Sequence, residues 1–493
     1  MVSPRDSALV LVRLSGEVST KARATRGQFV TRLVRNLKDA MAAEGARGRI
    51  ERHYDRLFVS LDRPEAASAL SRVFGVQSLS RVEQHPGKKL DEIVSAGEEL
   101  FRDRVAGRSF AVRARFVGSR EGRPFRSRDL EVALGERLGR YAERVDLRNP
   151  EVTAHVEIHR GQAYLFGERT AGPAGLPIGT ENRALSLISG GFDSAVASWQ
   201  LLRRGVNLDY AFCNLGGWAH RLGTLRVTKS IADRWSYGSR PRLHAVDFQE
   251  VSRELQSRTD SRYWQVILKR LMLRAAEQIV DGTPACAIVT GESVGQVSSQ
   301  TLANLAVISE ATRIPILRPL VGTNKAEIIA RAEEIGTGAL SAVVDEYCAL
   351  TSRRPATSAK LDVVREQESR LEPDTLSHAV AEREVIDLHS IDPDDTGLPA
   401  IEIAEVPEDA RVVDLRSRAQ FAQWHFPGAI QLDFPRALEA FPSFSPESTY
   451  VLYCDFGLKS AHLAELMSRE GLRAFHFRGG TKALRDHLAS QER

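Results

Sequence analysis

Cysteine is scarce in this sequence of 493 residues, which contains only four. So few cysteines in so long a chain exclude a disulfide framework and favour a reducing, cytoplasmic location. The chain also lacks any apolar run that approaches the ~20 residues needed to span a bilayer. Its first apolar stretch, Ala8–Val12, is too short for the core of a secretory signal. We therefore expect no membrane partner, and we expect any functional cysteine to be catalytic rather than structural.

Low-complexity tracts and sequence repeats are also absent. Apolar residues make up 42% of the chain and charged residues 27%, which excludes disordered, collagenous and coiled-coil classes. At roughly 150 residues per domain, the length corresponds to about three domains. Short apolar strands alternate with helical stretches over residues 184–350, and this alternation is typical of a parallel α/β sheet.

Charge is unevenly distributed although the net charge is only +4. Residues 1–170 hold 32 Lys and Arg against 23 Asp and Glu, whereas residues 361–400 hold 3 against 11. A basic N-terminal third suits the backbone of a nucleic acid, and a solvated arginine-rich face is the alternative interpretation. The acidic segment indicates a partly helical connector.

Some arginines of the basic N-terminal third alternate with apolar residues, as in a β-strand. Over residues 110–116 apolar side chains alternate with Arg113 and Arg115, which places the two arginines on the opposite face. Arg120 and Arg123 follow in a loop containing Gly, Ser and Pro, from which guanidinium groups can reach phosphates. These four arginines are candidate contacts to a nucleic acid.

The most informative stretch is an apolar strand, Ala184–Ile188, that runs into a glycine turn and then begins a helix. Backbone N–H groups and the helix dipole form an anion site at such a position. The turn reads Ser189-Gly190-Gly191-Phe192-Asp193-Ser194, and no lysine follows the glycines, which excludes a Walker loop. This S-G-G-x-D-S pattern resembles the PP-loop of ATP pyrophosphatases, which split ATP into AMP and pyrophosphate. An ordinary strand-turn-helix is the alternative, and the Asp-Ser pair argues against it.

Later segments add polar residues near another strand end. A polar loop, Gly291–Thr301, follows a predicted strand, and ligands of open α/β sheets bind at such loops. Lys269 lies on the predicted helix Tyr263–Val280. Lys325 lies at a predicted helix start, where it can neutralise charge on a transferring phosphate. For either lysine alone, a solvated surface position is the alternative.

A cysteine near the C-terminus follows an apolar strand. Cys454 begins the run Cys454–Ser460, after which a helix starts. Backbone N–H groups at a helix start stabilise a thiolate and make it nucleophilic. Together with Arg411–Arg416 and His425–Ala429, this order resembles a rhodanese domain, in which such a cysteine carries a persulfide. Lys459 stands where an arginine is usual, so the charge is kept but the bidentate geometry is lost.

The joint occurrence of these segments resembles the tRNA 4-thiouridine synthetase family, the tRNA uracil 4-sulfurtransferases, over almost the whole chain. Further similar segments are Asn214–Gly217, Leu268–Arg270, Thr290–Glu292, Gly295–Thr301 and Asp345–Cys348. The resemblance implies a multidomain α/β protein with an N-terminal ferredoxin-like α+β domain (1–75), a THUMP RNA-binding domain (76–168), a central parallel-sheet PP-loop domain of the adenine nucleotide alpha hydrolase type (176–360), an acidic linker (361–400) and a C-terminal α/β rhodanese domain (401–490).

The resemblance also implies roles for matching residues. Asp193 and Lys325 match residues of uridine adenylation, and Cys454 matches the persulfide carrier. Cys348 matches the cysteine that forms a transient, redox-active disulfide with the carrier. The positions that match the ATP site are Leu187, Ile188, Ser189, Gly190, Gly191, Ser194, Lys269, Gly291 and Gln300.

The implied function is formation of 4-thiouridine at position eight of tRNA, with ATP as substrate and Mg²⁺ as its counterion. Asp193 holds Mg²⁺ or orients the loop, and no residue is expected to be a dedicated metal ligand. AMP is transferred to uridine O4, and persulfide sulfur from Cys454 then displaces it. The implied partners are tRNA, a cysteine desulfurase as sulfur donor, a sulfur-carrier protein of thiamine thiazole synthesis, and a second copy of the chain.

Two other functions stay open on the sequence. One is a sulfur carrier that acts mainly through residues 401–490 in thiazole synthesis, while the remainder binds RNA. The intact loop Ser189–Ser194 argues against it. The other is a PP-loop enzyme that thiolates a different tRNA base, and the Cys348 segment together with the rhodanese unit argues against it.

Overall fold

A computed structural model describes residues 8–53, 55–118, 123–342, 344, 354–392, 401–455 and 457–491. The chain divides into two compact units. Unit 1 runs to Thr180 and includes Arg203–Gly205, and unit 2 contains Glu181–Leu202 and the residues from Val206 onward. Among the helices that the structure describes, none is long and apolar enough to cross a membrane.

Unit 1 combines a mixed sheet with helices. Its strands are β1 (Ala8–Leu14), β2 (Gly48–His53), β3 (Arg56–Leu61), β4 (Val76–Pro86), β5 (Ser109–Phe116), β6 (Arg144–Val145), β7 (Val152–His159), β8 (Gln162–Phe166) and β9 (Thr170–Ala171). Its helices are α1 (Gly16–Ser19), α2 (Arg23–Ala43), α3 (Ala67–Leu70), α4 (Leu90–Val105) and α5 (Ser127–Leu138). The strands lie in the order β2-β3-β1-β4-β8-β7-β5-β6, and β9 also pairs with β4.

The end of unit 1 differs from the expected domain start at residue 176. Leu176 and Ile178 are buried, with 3% and 1% of their surface exposed. The side chain of Asn36 on α2 donates to the Ile178 carbonyl at 3.1 Å, and the Ser15 hydroxyl donates to the Gly175 carbonyl at 2.7 Å. These contacts fix residues 175–178 in unit 1, so the next unit begins at Glu181.

The first part of unit 2 alternates strands and helices. Its strands are β10 (Arg183–Leu187), β11 (Asn207–Asn214), β12 (Arg242–Asp247), β13 (Ala285–Val289), β14 (Ile316–Leu317) and β15 (Glu384–Asp387). Its helices are α6 (Phe192–Arg203), α7 (Gly217–Trp235), α8 (Gln249–Arg258), α9 (Trp264–Asp281), α10 (Leu302–Ser309), α11 (Lys325–Ile335), α12 (Gly338–Ser341), α13 (Leu361–Glu368) and α14 (Thr375–Ala381). Apolar faces of α8 and α9 pack with β10, β11 and β13 to form the core.

The strands of this sheet lie in the order β14-β13-β10-β11-β12-β15. Successive strands are added on one side of β10 first and on its other side afterwards. From β10 the chain moves outward through β11 and β12, and it then returns to place β13 on the other side. β10, β11, β12, β13 and β14 run parallel. The carboxyl ends of β10 and β13 therefore flank a topological switch point, which is where ligands of open α/β sheets bind.

The segment expected to be an acidic linker is largely folded. Helix α13 places Val364 in the core, and α14 does the same with Val380. β15 then pairs antiparallel with β12, from Arg242 opposite Asp387 to Ala245 opposite Glu384. Acidic composition indicates a connector, but the apolar face of each helix and this pairing make residues 361–387 part of the sheet domain. Residues 393–400 lie outside the described residues.

The last part of unit 2 is a parallel sheet with its own helices. Its strands β16 (Glu402–Ile403), β17 (Arg411–Asp414), β18 (Ile430–Gln431), β19 (Thr449–Tyr453) and β20 (Arg473–Phe477) lie in the order β16-β20-β19-β17-β18. Its helices are α15 (Arg418–Gln423), α16 (Phe434–Ala440), α17 (Leu458–Arg469) and α18 (Gly480–Gln491). Helix α17 packs on β19 and β20 and also contacts α7 of the preceding sheet domain.

Candidate active site

The S-G-G-x-D-S loop joins β10 to α6 at the switch point. Gly190 has φ +79°, and a Cβ there would lie 3.0 Å from the Cα of Thr224 on α7. Both the backbone conformation and this close approach require glycine. The N–H of Ile188 donates to the Ala211 carbonyl at 2.9 Å, which fixes the start of the loop to the neighbouring strand.

The hydroxyl of Ser194 holds the loop in shape. Ser194 Oγ accepts from the Ser189 N–H at 3.2 Å and donates to the Gly191 carbonyl at 3.2 Å. It also lies 3.3 Å from Ser189 Oγ. These hydrogen bonds fix the polar groups of the loop at a helix start, where backbone N–H groups favour an anion.

Asp193, in the first turn of α6, is held by partners from two distant segments. Lys325 Nζ lies 2.9 Å from both carboxylate oxygens, and the Gln296 amide donates to Oδ2 at 2.9 Å. Lys325 is the first residue of α11, and the Asn324 side chain caps that helix by accepting from the Glu327 N–H at 3.0 Å. The structure thus brings together Asp193 and Lys325, which are 132 positions apart.

A second charged cluster surrounds Glu292, just after β13. Lys269 Nζ lies 3.2 Å from Oε1, Arg318 Nε lies 2.7 Å from Oε2, and the Thr290 hydroxyl donates to Oε2 at 3.0 Å. Burial alone raises the pKa of Glu292, but the two cations outweigh burial and hold that pKa below its usual value. The carboxylate therefore stays ionised and fixes Lys269.

Gly291 and Gln300 shape the polar loop. A Cβ on Gly291 would lie 2.7 Å from the carbonyl carbon of Asp193, so the end of β13 packs directly on the S-G-G-x-D-S loop. Gln300 Oε1 accepts from the Ser293 N–H at 3.0 Å, and its carbonyl accepts from the Gly295 N–H at 2.9 Å. The residues that the sequence assigns to ATP lie on the elements at this end of the sheet: Leu187, Ile188, Ser189, Gly190, Gly191, Ser194, Lys269, Gly291 and Gln300.

Gln296 and Arg318 are further members of this site that sequence reasoning did not single out. Gln296 belongs to the polar loop Gly291–Thr301, and its place in that loop could have identified it from the sequence. Arg318 follows β14 and has no comparable local pattern; only its contact with buried Glu292 identifies it.

Cys454 directly follows β19 and is buried, with 6% of its surface exposed. Gly457 adopts φ +79° where the chain enters α17, and Ser460 Oγ lies 3.6 Å from Cys454 Sγ. A cavity of about 370 Å³ lies beside the thiol. Its lining includes Arg416, Gln420, Phe434, Asp455 and Lys459.

The other cysteines have different settings. Cys348 lies outside the described residues. Cys213 is buried on β11, and this burial raises the pKa of its thiol. Cys286 lies exposed on β13, and its thiol donates to the Arg183 carbonyl at 3.5 Å.

The candidate arginines lie on and after β5. Arg113 and Arg115 are exposed, as the strand alternation predicts. Arg123 donates to a carbonyl of its own loop at 2.8 Å, and its guanidinium lies 4.9 Å from the ring centre of Phe116. Arg120 lies outside the described residues.

Four family profiles match consecutive parts of the chain. The ThiI ferredoxin-like domain matches residues 9–80, and the THUMP domain matches residues 87–168. The profile described as thiamine biosynthesis protein (ThiI) matches residues 179–372, and the rhodanese-like domain matches residues 401–487.

Curated relatives and solved structures are similar over most of the chain. The tRNA sulfurtransferase of Pyrobaculum aerophilum is 36% identical over 473 residues, which are 95% of this chain and 96% of that protein. The tRNA sulfurtransferase of Pectobacterium atrosepticum is 34% identical over 477 residues, which are 94% of this chain and 98% of that protein. A 4-thiouridine synthetase crystallised with RNA and bound ATP is 28% identical with a TM-score of 0.68, covering 77% of this chain and 99% of that chain.

The fold and the site define a multidomain α/β enzyme that joins ferredoxin-like, THUMP, PP-loop and rhodanese domains. The fold class expected from the sequence is therefore confirmed. The chain belongs to the tRNA sulfurtransferase family.

Proposed function

We propose that this enzyme forms 4-thiouridine at position eight of tRNA, using ATP and a persulfide on Cys454. The observation that carries the proposal is the ion pair between Asp193 and Lys325 at the S-G-G-x-D-S loop, in a chain that also holds Cys454 before a helix. The ATP and RNA bound to the similar 4-thiouridine synthetase support the same substrates.

ATP binds at the carboxyl ends of β10 and β13 in this proposal. The backbone N–H groups of Gly190, Gly191 and Ser194 and the hydroxyl of Ser189 bind its phosphates. The remaining contacts are Leu187, Ile188, Lys269, Gly291 and Gln300. Mg²⁺ is commonly bound by one or two carboxylates together with substrate phosphates. Asp193 offers one carboxylate at this loop and would hold the ion, which neutralises phosphate charge.

Adenylation turns a poor leaving group into a good one. Uridine O4 attacks the α-phosphorus of ATP, pyrophosphate departs, and AMP is left bonded to O4. Lys325 stabilises the charge that develops on the phosphate. The terminal sulfur of the Cys454 persulfide, loaded by a cysteine desulfurase, then attacks C4 and expels AMP.

Release of the base requires cleavage of the bond between the two sulfurs. The Cys348 thiolate attacks Cys454 Sγ, which leaves sulfur on C4 and forms a disulfide between Cys348 and Cys454. A thiol reductant restores both cysteines before the next turnover.

The basic face of unit 1 binds the tRNA in this proposal. Arg113 and Arg115 project from β5, where guanidinium groups can neutralise phosphates of the RNA backbone. Arg123 follows this strand, and Arg120 is a further candidate from the sequence. We also propose that the enzyme is a homodimer, which light scattering of the purified chain tests.

The family description over residues 179–372 favours a second function, supply of sulfur for the thiazole of thiamine. In that function the Cys454 persulfide passes its sulfur to a sulfur-carrier protein. The step needs no adenylated uridine, so it depends on Cys454 and not on Asp193.

The test uses a strain that lacks the gene and is complemented with wild type, Asp193→Ala, Cys454→Ala or Cys348→Ala. We expect 4-thiouridine in hydrolysed tRNA only with wild type. We expect growth without thiamine to be restored by Asp193→Ala if the second function exists. Normal 4-thiouridine with Asp193→Ala, or a 2-thiolated nucleoside in its place, contradicts the proposal.

A further inference from the structure

Gln296 contacts the carboxylate of Asp193 directly. Its amide donates to Oδ2 at 2.9 Å, and Lys325 Nζ lies 2.9 Å from both carboxylate oxygens. Oδ2 therefore has one neutral donor and one charged donor. The neutral donor comes from the polar loop after β13, and the charged donor comes from the start of α11.

The polar loop fixes the position of Gln296. Gly295 adopts φ +77°, and its N–H donates to the Gln300 carbonyl at 2.9 Å. The N–H of Gln296 donates to the Ser293 carbonyl at 3.3 Å. The Ser293 hydroxyl in turn donates to the Thr323 carbonyl at 2.8 Å, just before α11. The two donors to the carboxylate are therefore held on one connected framework.

The two donors respond differently to ATP. A lysine ammonium is a point charge on a flexible stem, and phosphate attracts it; a neutral amide has no net charge to be drawn away. If the proposed function is correct, on which this inference rests, ATP draws Lys325 toward the phosphate that is transferred. We propose that Gln296 is a positioning residue for adenylation, because it keeps the Asp193 carboxylate oriented while Lys325 neutralises the phosphate.

The test measures tRNA-dependent release of pyrophosphate from ATP by the full-length protein. Gln296→Met keeps the side-chain length and removes the donor, and Gln296→Glu replaces the donor with an acceptor that competes for Lys325. Because a hydrogen bond to a charged group accounts for about 10- to 100-fold in rate, we expect Gln296→Met to lower kcat by that factor. We expect the KM for ATP to change by less than about threefold. Gln296→Glu should lower kcat further.

The matched control is Gln278→Met, which alters an exposed glutamine on α9 and should keep the wild-type kcat. A Gln296→Met protein with wild-type kcat overturns the inference. A Gln296→Met protein in which the thermal midpoint, the ATP affinity and kcat all fall together also overturns the inference. Such a joint loss would show that Gln296 only stabilises the fold. If wild type itself releases no pyrophosphate with tRNA, the proposed function fails, and this outcome is distinct from the others.

Discussion

The backbone N–H of Trp218 donates to the carboxylate of Glu465 at 3.2 Å. Trp218 lies in the first turn of α7, and Glu465 lies on α17 of the rhodanese domain. A Cβ on Gly217 would lie 2.2 Å from Glu465 Oε1, so the preceding glycine makes room for this carboxylate. Two residues further along α7, His220 Nε2 lies 3.3 Å from the carbonyl of Ser189 in the S-G-G-x-D-S loop. The rhodanese domain therefore contacts the same helix that touches the S-G-G-x-D-S loop.

Glu465→Ala should loosen the start of α7. The substitution removes the acceptor of the Trp218 N–H and a negative charge that favours a helix N-terminus. We expect hydrogen exchange of the amides at the start of α7 to accelerate by about 10-fold, the scale of one hydrogen bond. Glu470→Ala, which alters an exposed residue just after α17, is the control. Equal exchange in wild type and Glu465→Ala would show that the contact does not hold the helix.

Gly291→Ala should disrupt the S-G-G-x-D-S loop. The added Cβ would lie 2.7 Å from the Asp193 carbonyl carbon and 2.8 Å from the Ser194 N, and neither backbone atom can move without displacing the loop. Overpacking of this kind costs about 1–3 kcal/mol, so we expect ATP affinity to fall by about 5- to 150-fold. The control is Gly282→Ala after α9, where the nearest atom is 3.8 Å away. Isothermal titration with ATP measures both, and unchanged affinity in Gly291→Ala would contradict the packing argument.

Glu292→Gln should destabilise the protein in a way that depends on pH. The cations beside Glu292 lower the pKa of its carboxyl in the folded state. Its contribution to stability is therefore present above the unfolded pKa of about 4.3 and is lost as pH falls through the folded value. Removing one member of a buried ion pair costs about 3–5 kcal/mol.

We expect the thermal midpoint of Glu292→Gln to fall clearly at pH 7, with a difference from wild type that narrows below about pH 4. Glu250→Gln is the control, since Glu250 forms an exposed pair with Arg253 and such pairs contribute at most about 1 kcal/mol. A difference between wild type and Glu292→Gln that is equally large at both pH values would contradict the account.

Cys454→Ser should separate the two half-reactions. The serine variant cannot carry a persulfide, but the site on the other sheet is intact. We expect pyrophosphate release with tRNA to stay within about threefold of wild type while 4-thiouridine falls below detection. Cys286→Ser, which alters a thiol exposed on β13, is the control and should retain both activities. Formation of 4-thiouridine by Cys454→Ser would exclude this cysteine as the carrier.

Local patterns predicted the elements that carry the site. The S-G-G-x-D-S turn could be predicted from the sequence because a strand, two glycines and a helix start are adjacent in the chain. The exposure of Arg113 and Arg115 could be predicted because the two arginines alternate with apolar residues over the second half of β5. Two partners of the site carboxylates could not be predicted from local patterns. Gln296 contacts Asp193, and Arg318 contacts Glu292, through the tertiary fold.

The acidic segment shows why composition alone misleads about domain limits. Its described acidic residues are exposed except Glu368, which is buried against Arg270, whereas Val364 and Val380 are buried and Ile386 on β15 is 5% exposed. Pairing of β15 with β12 depends on the tertiary fold and leaves no local signal. The contact between Glu465 and Trp218, 247 positions apart, is beyond sequence patterns for the same reason.

We propose that the ATP site and the Cys454 persulfide act on one uridine of one tRNA. The most direct measurement loads the purified protein with ³⁵S persulfide at Cys454 and then adds ATP, Mg²⁺ and a tRNA transcript for a single turnover. We expect the label to move to 4-thiouridine at position eight, with one AMP formed for each sulfur transferred. Label that stays on the protein while ATP is consumed, or label that moves to tRNA without ATP, would contradict it.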